Sequence, residues 1–374
     1  MPVGIELFAG CGGLSTGFLD AGLRVVAGFE LDARAVEAFN YNHAHRGATG
    51  ILADLAGASG HDVLRAAGLQ AVDFVVAGPP CQPFSIAGKQ GGTADARAFL
   101  LFDCVRIIGE LSPSAFLIEN VPNLLSFDNG ALLRSAISPL MKRYAVRAEV
   151  VTASQYGVAQ NRKRLVILGL RDAEDVSFPA PTHGIPGRPV RTASDAIGDL
   201  PDAAEFGECG IHNHEPTMHS ADMVRRFRGL APGRREQGSF HDRLHADRPS
   251  FTLRAGSGNF SPLRPIHYRF DRVITARESA RLQGFSDDFI WPDSIPRLQQ
   301  YRQIGNAVPP PLAFALARSL AAQMRWKAQP QAFLGDPTGR PNPRQLSDDE
   351  RRRARLSRLR GASLGKVPEL TAEP

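Results

Sequence analysis

The 374-residue sequence has no long unbroken apolar run, and a membrane-spanning helix would need about 18 such residues. It has only four cysteines, Cys11, Cys81, Cys104 and Cys209, with no C-x-x-C pair. Such spacing argues against a zinc ribbon or a disulfide scaffold. It suits a reducing compartment, where a lone cysteine can act as a catalytic thiol. No basic start followed by an apolar stretch precedes the first strand-like segment, so secretion is not expected. A G-x-G-x-x-G fingerprint is missing as well, because Ser15 stands where its last glycine would be. That tells against a nicotinamide dehydrogenase. Cys209, His212, His214 and His219 match no standard zinc spacing, so no metal is expected. The net charge of +6 and the isoelectric point of about 9.4 are compatible with a polyanionic partner. They fit a mildly basic soluble enzyme equally well.

What the sequence does have is a regular alternation over residues 1–170. Ile5–Phe8, Arg24–Phe29, Asp73–Ala77 and Phe116–Ile118 are short apolar strands separated by helical stretches such as Ala33–Tyr41. Val146–Thr152 and Arg164–Leu170 form a candidate antiparallel closing pair. The pattern predicts a doubly wound α/β sheet, in which ligands bind at the carboxyl ends of the strands. The unusual residues cluster at those ends. Composition changes after Leu170: Arg171–Ala221 is proline-rich and loop-like, and between Arg225 and Arg269 arginine recurs ten times and lysine never. Helical order returns at Thr275–Gly284 and Pro311–Arg325. The tail from Gln331 has few large apolar residues and is expected to be disordered.

Four motifs carry chemistry. In Glu6-Leu7-Phe8-Ala9-Gly10-Cys11-Gly12-Gly13 a strand runs into glycines that let a backbone approach a ligand closely. Glu30 ends the second strand, where an acid can bond ribose hydroxyls, and Asp54 lies near the expected end of a third. In Gly78-Pro79-Pro80-Cys81-Gln82-Pro83-Phe84-Ser85 prolines stiffen a loop around a thiol, an arrangement suited to aiming a nucleophile. Glu119-Asn120-Val121 puts a carboxyl group at another strand end, able to hold or supply a proton. In Gln160-Asn161-Arg162-Lys163-Arg164 the alternation of an extended segment would turn Arg162 and Arg164 to one side.

These blocks, with Arg277–Phe285 and Gln303–Pro310 downstream, resemble those of the DNA (cytosine-5) methyltransferase family in order and spacing. The resemblance spans about residues 4–325 and is weak between Arg171 and Arg269. It implies a Rossmann-like methyltransferase sheet, mostly parallel with one antiparallel strand, plus a small target-recognition domain. The expected divisions are 1–170 for the catalytic part, 171–270 for target recognition, 271–328 for a return to the catalytic part, and 329–374 for a basic tail. It also implies S-adenosylmethionine as cofactor, held by Phe8, Gly10, Gly12, Gly13, Glu30, Asp54, Pro79, Asn306 and Ala307.

By the same resemblance Cys81 is the nucleophile, Glu119 and Arg164 hold the cytosine ring, and Arg162 positions the cysteine loop. The base would be flipped out of a duplex under a glycine-bearing lid at residues 86–95. Gln82, Ser85, Arg254 and Ser257 are candidate DNA contacts. The expected partner is double-stranded DNA, with no membrane and with a restriction endonuclease as a conceivable companion. The expected setting is a monomer in a bacterial cytoplasm. A transfer-RNA cytosine methyltransferase would share the Pro-Pro-Cys block, but no Cys-Phe-Thr segment of that group is found. A non-catalytic DNA-binding regulator would have no need of the thiol.

Overall fold

The computed structural model describes residues 1–80, 99–206, 210–256 and 264–328, without the side chains of residues 205–206. Its first half builds β1 (Val3–Leu7), α1 (Gly13–Asp20), β2 (Arg24–Glu30), α2 (Ala33–His43), β3 (Thr49–Leu52), α3 (Gly60–Ala67), β4 (Phe74–Ala77), α4 (Phe99–Leu111) and β5 (Ala115–Asn120). Then come α5 (Asn123–Ser126), α6 (Ala131–Met141), β6 (Tyr144–Thr152), β7 (Gln160–Asn161) and β8 (Lys163–Arg171). The main sheet has seven strands in the order β3-β2-β1-β4-β5-β8-β6. β1 to β5 pair in parallel, and β8 runs antiparallel to both β5 and β6. The doubly wound sheet and its closing pair are therefore present as expected. The strand order reverses between β1 and β4, which opens a crevice at their carboxyl ends.

β4 and β5 are buried at every position, as strands covered on both faces must be. Their period of two divides the core. Phe74, Val76 and Leu117 pack on one side of the sheet with α1, and Val75, Ala77 and Ile118 on the other with α4 and α6.

The second half contains α7 (Ala193–Ile197), α8 (Ala203–Phe206), α9 (Ala221–Arg228), β9 (Asp242–Arg243), β10 (Ser250–Phe251) and β11 (Pro265–Ile266), followed by α10 (Ala276–Gln283), α11 (Arg297–Asn306) and α12 (Pro310–Gln323). Just after β8 the chain stays against the sheet: Val176 belongs to the α1-side core, and Ser177 N–H donates to Gln323 at 2.8 Å. A small lobe then forms around Ala193, Ile197, Leu244, Leu253, Ile274 and Leu282. It meets the first half of the chain where β10 pairs with β7 in a separate two-stranded sheet just before β8. No helix among the described residues is long and apolar enough to cross a membrane.

α12 returns from the far end of the chain to lie on α1, with Leu312 and Leu316 in the same core as Leu14 and Phe18. A Cβ at Gly17 would lie 2.5 Å from both Ala313 Cβ and the Pro310 carbonyl oxygen. Gly→Ala inside a helix ordinarily gains about 1 kcal/mol. Here the backbone of α12 blocks the methyl group, so the sign reverses. Gly17→Ala is expected to lower the unfolding free energy in urea by about 1–3 kcal/mol, the usual cost of overpacking.

Candidate active site at the carboxyl ends of the strands

β1 ends in a turn that few sequences could form. Phe8 and Gly10 have φ of 57° and 55°, and Gly12 has φ of 90°. A bulky residue in the left-handed region is strained, and such strain concentrates at functional sites. A Cβ at Gly12 would stand 2.5 Å from His43 Cε1, and one at Gly13 would run into the Val308 carbonyl. A Cβ at Gly10 would meet nothing within 4 Å, so that glycine leaves open room above the turn.

Glu30 braces the turn. Its Oε2 accepts from Gly10 N–H at 2.8 Å, and its Oε1 accepts from Leu31 N–H at 2.9 Å and Asp32 N–H at 3.0 Å. Asp54 is exposed two residues beyond β3, with Oδ1 accepting from Ala56 N–H at 2.9 Å. Two leucines flank these acids in the open, Leu31 at 66% and Leu52 at 58% exposure. Apolar side chains so exposed beside paired acids suit a ligand with a flat ring and hydroxyl groups. Exposed Asn306 and half-buried Ala307 arrive from the C-terminal end of α11, and Ala307 Cβ would be 3.2 Å from a Cβ at Gly13. Pro79 is buried at the end of β4, and its carbonyl accepts from Asn120 Nδ2 at 3.2 Å. The nine candidate cofactor residues lie at or just beyond the carboxyl ends of β1 to β4 and at the C-terminal end of α11, and outline a candidate cofactor mouth. Leu31 and Leu52 went unnoticed in the sequence because an exposed leucine carries no pattern of its own.

Below the mouth lies a buried acid. Glu6, on β1, accepts from Ser15 N–H at 2.9 Å and from the Ser15 hydroxyl. Burial pushes its carboxyl up to about 8, against the opposing pull of the Ser15 bonds. This burial was legible: an acid between Ile5 and Leu7 in a strand covered on both faces has no water to reach.

The second part of the site surrounds β5. Glu119 is the next-to-last residue of that strand, 8% exposed. One of its oxygens lies 3.9 Å from where a Cβ on Gly78 would be, so the carboxylate sits over the residue that opens Gly78-Pro79-Pro80-Cys81. Arg164 Nε is 2.8 Å from Glu119 Oε1. The angle is too poor for a hydrogen bond, and Oε1 has no donor among the described residues. The pair is an electrostatic contact with an acceptor to spare.

Arg162 does something different. Its fully buried guanidinium donates to the carbonyls of Leu253 (3.2 Å), Gly305 (2.9 Å) and Asn306 (3.4 Å). Arg162, in the break between β7 and β8, therefore has partners of its own, whereas Arg164 stands beside Glu119.

Cys81, Gln82 and Ser85, the 86–95 segment, Ser257 and Cys209 lie outside the described residues. Cys11 and Cys104 are buried, and desolvation pushes both thiols well up, Cys11 with help from the Glu6 charge. That burial disfavours the thiolate at both. His214 has both ring nitrogens engaged, with Thr275 Oγ1 at 2.8 Å and the Pro201 carbonyl at 3.0 Å.

The arginine-rich stretch is less free than its composition suggests. Arg226 pairs with Glu236, Arg228 and Arg243 with Asp271, and Arg235 with Asp242. Buried Arg243 ties Asp271 to the lobe, while the other three pairs lie at its surface, where ion pairs add little. Exposed Arg254, with Arg248 and Arg264, lines a groove of about 540 Å³ beside Asn161 and Thr252. Its backbone abuts Gly305, where a Cβ would be 2.6 Å from Ala255 N.

The model of the C-5 cytosine-specific DNA methylases matches residues 3–322. The chain belongs to this family. Among similar proteins, the Type II methyltransferase M1.HphI of Haemophilus parahaemolyticus is 33% identical over 332 residues, covering 84% of this chain and 86% of its own. M.XorII of Xanthomonas oryzae pv. oryzae is 33% identical over 377 residues, covering 88% and 86%. A solved E. coli structure described as a prophage-encoded DNA modification methyltransferase has a TM-score of 0.73 at 25% identity, covering 87% of this chain and all of that one. The protein is thus a DNA (cytosine-5) methyltransferase with a Rossmann-like sheet. Methyltransferases of this kind generally use S-adenosylmethionine, and their substrate is DNA.

In this methylase the buried acid predicts a pH effect. Glu6 keeps its proton in the folded chain to about pH 8 and loses it in the unfolded chain near 4.5. Its stabilising contribution is complete below the unfolded value and fades as pH rises through the folded one. Glu6→Gln is expected to gain stability relative to the parent between pH 5 and 8, read as urea midpoints at both pH values. A constant difference between parent and variant would show that Glu6 is ionised when buried.

Proposed function

We propose that the chain transfers a methyl group from S-adenosylmethionine to C5 of a cytosine flipped out of a short duplex DNA sequence, through a covalent bond between Cys81 and C6. The observation that carries this reading is Glu119: a carboxylate with an acceptor to spare, standing over the start of the Pro-Pro-Cys loop beside Arg164.

The mouth around β1 and β2 suits the cofactor. Phe8, Gly10, Gly12 and Gly13 would face its methionine part, Glu30 its ribose hydroxyls, and Asp54 its adenine amino group, while Pro79, Asn306 and Ala307 close the space. When bound, the cofactor supplies a methyl group made electrophilic by a sulfonium. The residues of the chain have the harder task, because C5 of cytosine is a poor nucleophile. The Cys81 thiolate adds to C6 and the electron pair moves into the ring. Glu119 holds N3 and the exocyclic amine and shares a proton with N3, which offsets the charge of the incoming thiolate. Arg164 holds O2. With the methyl group supplied to C5 and the sulfonium left as a neutral thioether, a base would remove the C5 proton and the C6–S bond would break to free the thiolate.

Unstacking the target base costs a few kcal/mol, which the DNA contacts must offset. Gln82 and Ser85 beside the thiol, and Arg254 and Ser257 at the groove, are the residues we assign to DNA. Arg162 joins the base side of the site to the C-terminal return. One chain carries both the cofactor mouth and the arginine-lined groove, which supports action as a monomer. The bacterial relatives named Type II methyltransferases support a bacterial cytoplasmic setting and a companion restriction endonuclease.

With tritiated S-adenosylmethionine and unmethylated duplex DNA the chain is expected to label cytosine C5, and Cys81→Ser to label none. Glu119→Gln should lower kcat by about 10²- to 10⁴-fold, the usual worth of a proton-handling group. Parent-level transfer by Cys81→Ser would rule out the covalent route.

A further inference from the structure

Phe240 stands at the tip of the arginine-rich lobe in a conformation that packing does not account for. The residue is 55% exposed, and its backbone is left-handed, with φ of 59°. Each feature is unfavourable: a large apolar ring meets water, and its Cβ crowds a carbonyl oxygen. The turn beneath it is firmly held. Glu236 accepts from the backbone N–H and the hydroxyl of Ser239, and Arg226 Nη2 donates to the same carboxylate at 2.5 Å. Phe240 N–H donates to the Glu236 carbonyl at 2.9 Å, and Glu236 N–H to the His241 carbonyl at 2.8 Å. Arg264 Nε donates to the Phe240 carbonyl at 2.9 Å, with its guanidinium 5.8 Å from the ring centroid.

This clamp fixes the backbone from which the exposed ring projects, beside Arg264, one of the residues that line the basic groove. Arginines there attract phosphates. A phenyl ring has nothing to offer a phosphate but fits the flat face of a base or the methyl group of thymine.

We propose that Phe240 is a specificity-determining contact, packing its ring against a base of the bound duplex while the groove arginines hold the backbone. This rests on the reading of the chain as a DNA methyltransferase. The test compares the parent with Phe240→Gly, Phe240→Ala and Phe240→Leu on unmethylated genomic DNA, with methylated sites located by bisulfite sequencing. The parent should mark one short sequence. At equal total transfer the Gly and Ala variants should accept an additional base at one position. Their KM should rise about tenfold, near the effect of losing one base contact, with kcat within about twofold. Phe240→Leu should fall between them and the parent. Since glycine tolerates the positive φ, Phe240→Gly should unfold at the same temperature as the parent or higher.

An unchanged recognition sequence overturns the inference, whether or not KM rises, and so does a lower unfolding temperature for Phe240→Gly without relaxed specificity. Those outcomes leave the enzyme reading intact. A parent chain that transfers no methyl group to DNA sinks the enzyme reading instead.

Discussion

The site depends on one buried guanidinium. Arg162 leaves the sheet between β7 and β8 and donates to carbonyls of the small lobe and of the C-terminal return at once. A buried cation left without acceptors costs several kcal/mol, so these segments cannot drift apart without exposing that penalty. The three carbonyls that accept from it belong to Leu253, beside the groove, and to Gly305 and Asn306, beside the proposed cofactor residues. One side chain therefore ties the groove and the proposed cofactor residues to the strand that carries Arg164. Glycine permits the close approach: Gly305 lies against Ala255, and Gly13 lies against Val308.

The small lobe extends this use of buried charge. Arg272 bridges Asp202 at 2.7 Å and Glu278 at 2.9 Å, and Arg281 bridges Asp199 at 2.6 Å and Asp287 at 2.7 Å. Fully buried Arg277 donates to the carbonyls of His212, Ser286 and Phe289. Beside its apolar clusters the lobe obtains a defined shape from directional, charge-assisted bonds. The consequence for function is a division of labour among arginines. Those paired within the lobe shape it, Arg235 and Arg243 among them although they also line the groove, while Arg248 and Arg254 present exposed side chains there.

The sheet was legible because period two and covered faces leave a strong mark: β4 and β5 are unbroken apolar runs with acids or glycines at their ends. The motif residues were legible for the same reason, as chemistry-bearing groups placed where strands stop. The role of Arg162 was not, because local alternation cannot report a break between β7 and β8. The small lobe was legible only as an arginine excess. Its strands are two residues long and its bonds join residues as far apart as Asp202 and Arg272, so no local period records them. Glu6 was a missed opportunity, since covered strands forbid a solvated acid at their centre.

The central claim concerns one sulfur and one carbon. Duplex DNA made with 5-fluorocytosine in place of cytosine blocks the loss of the C5 substituent, so the adduct should persist after methyl transfer. Proteolysis of the trapped complex and mass spectrometry of the peptides should find the modified nucleotide on the peptide bearing Cys81. Methylation of ordinary DNA with no trapped peptide, or a nucleotide attached at any other residue, would contradict the account.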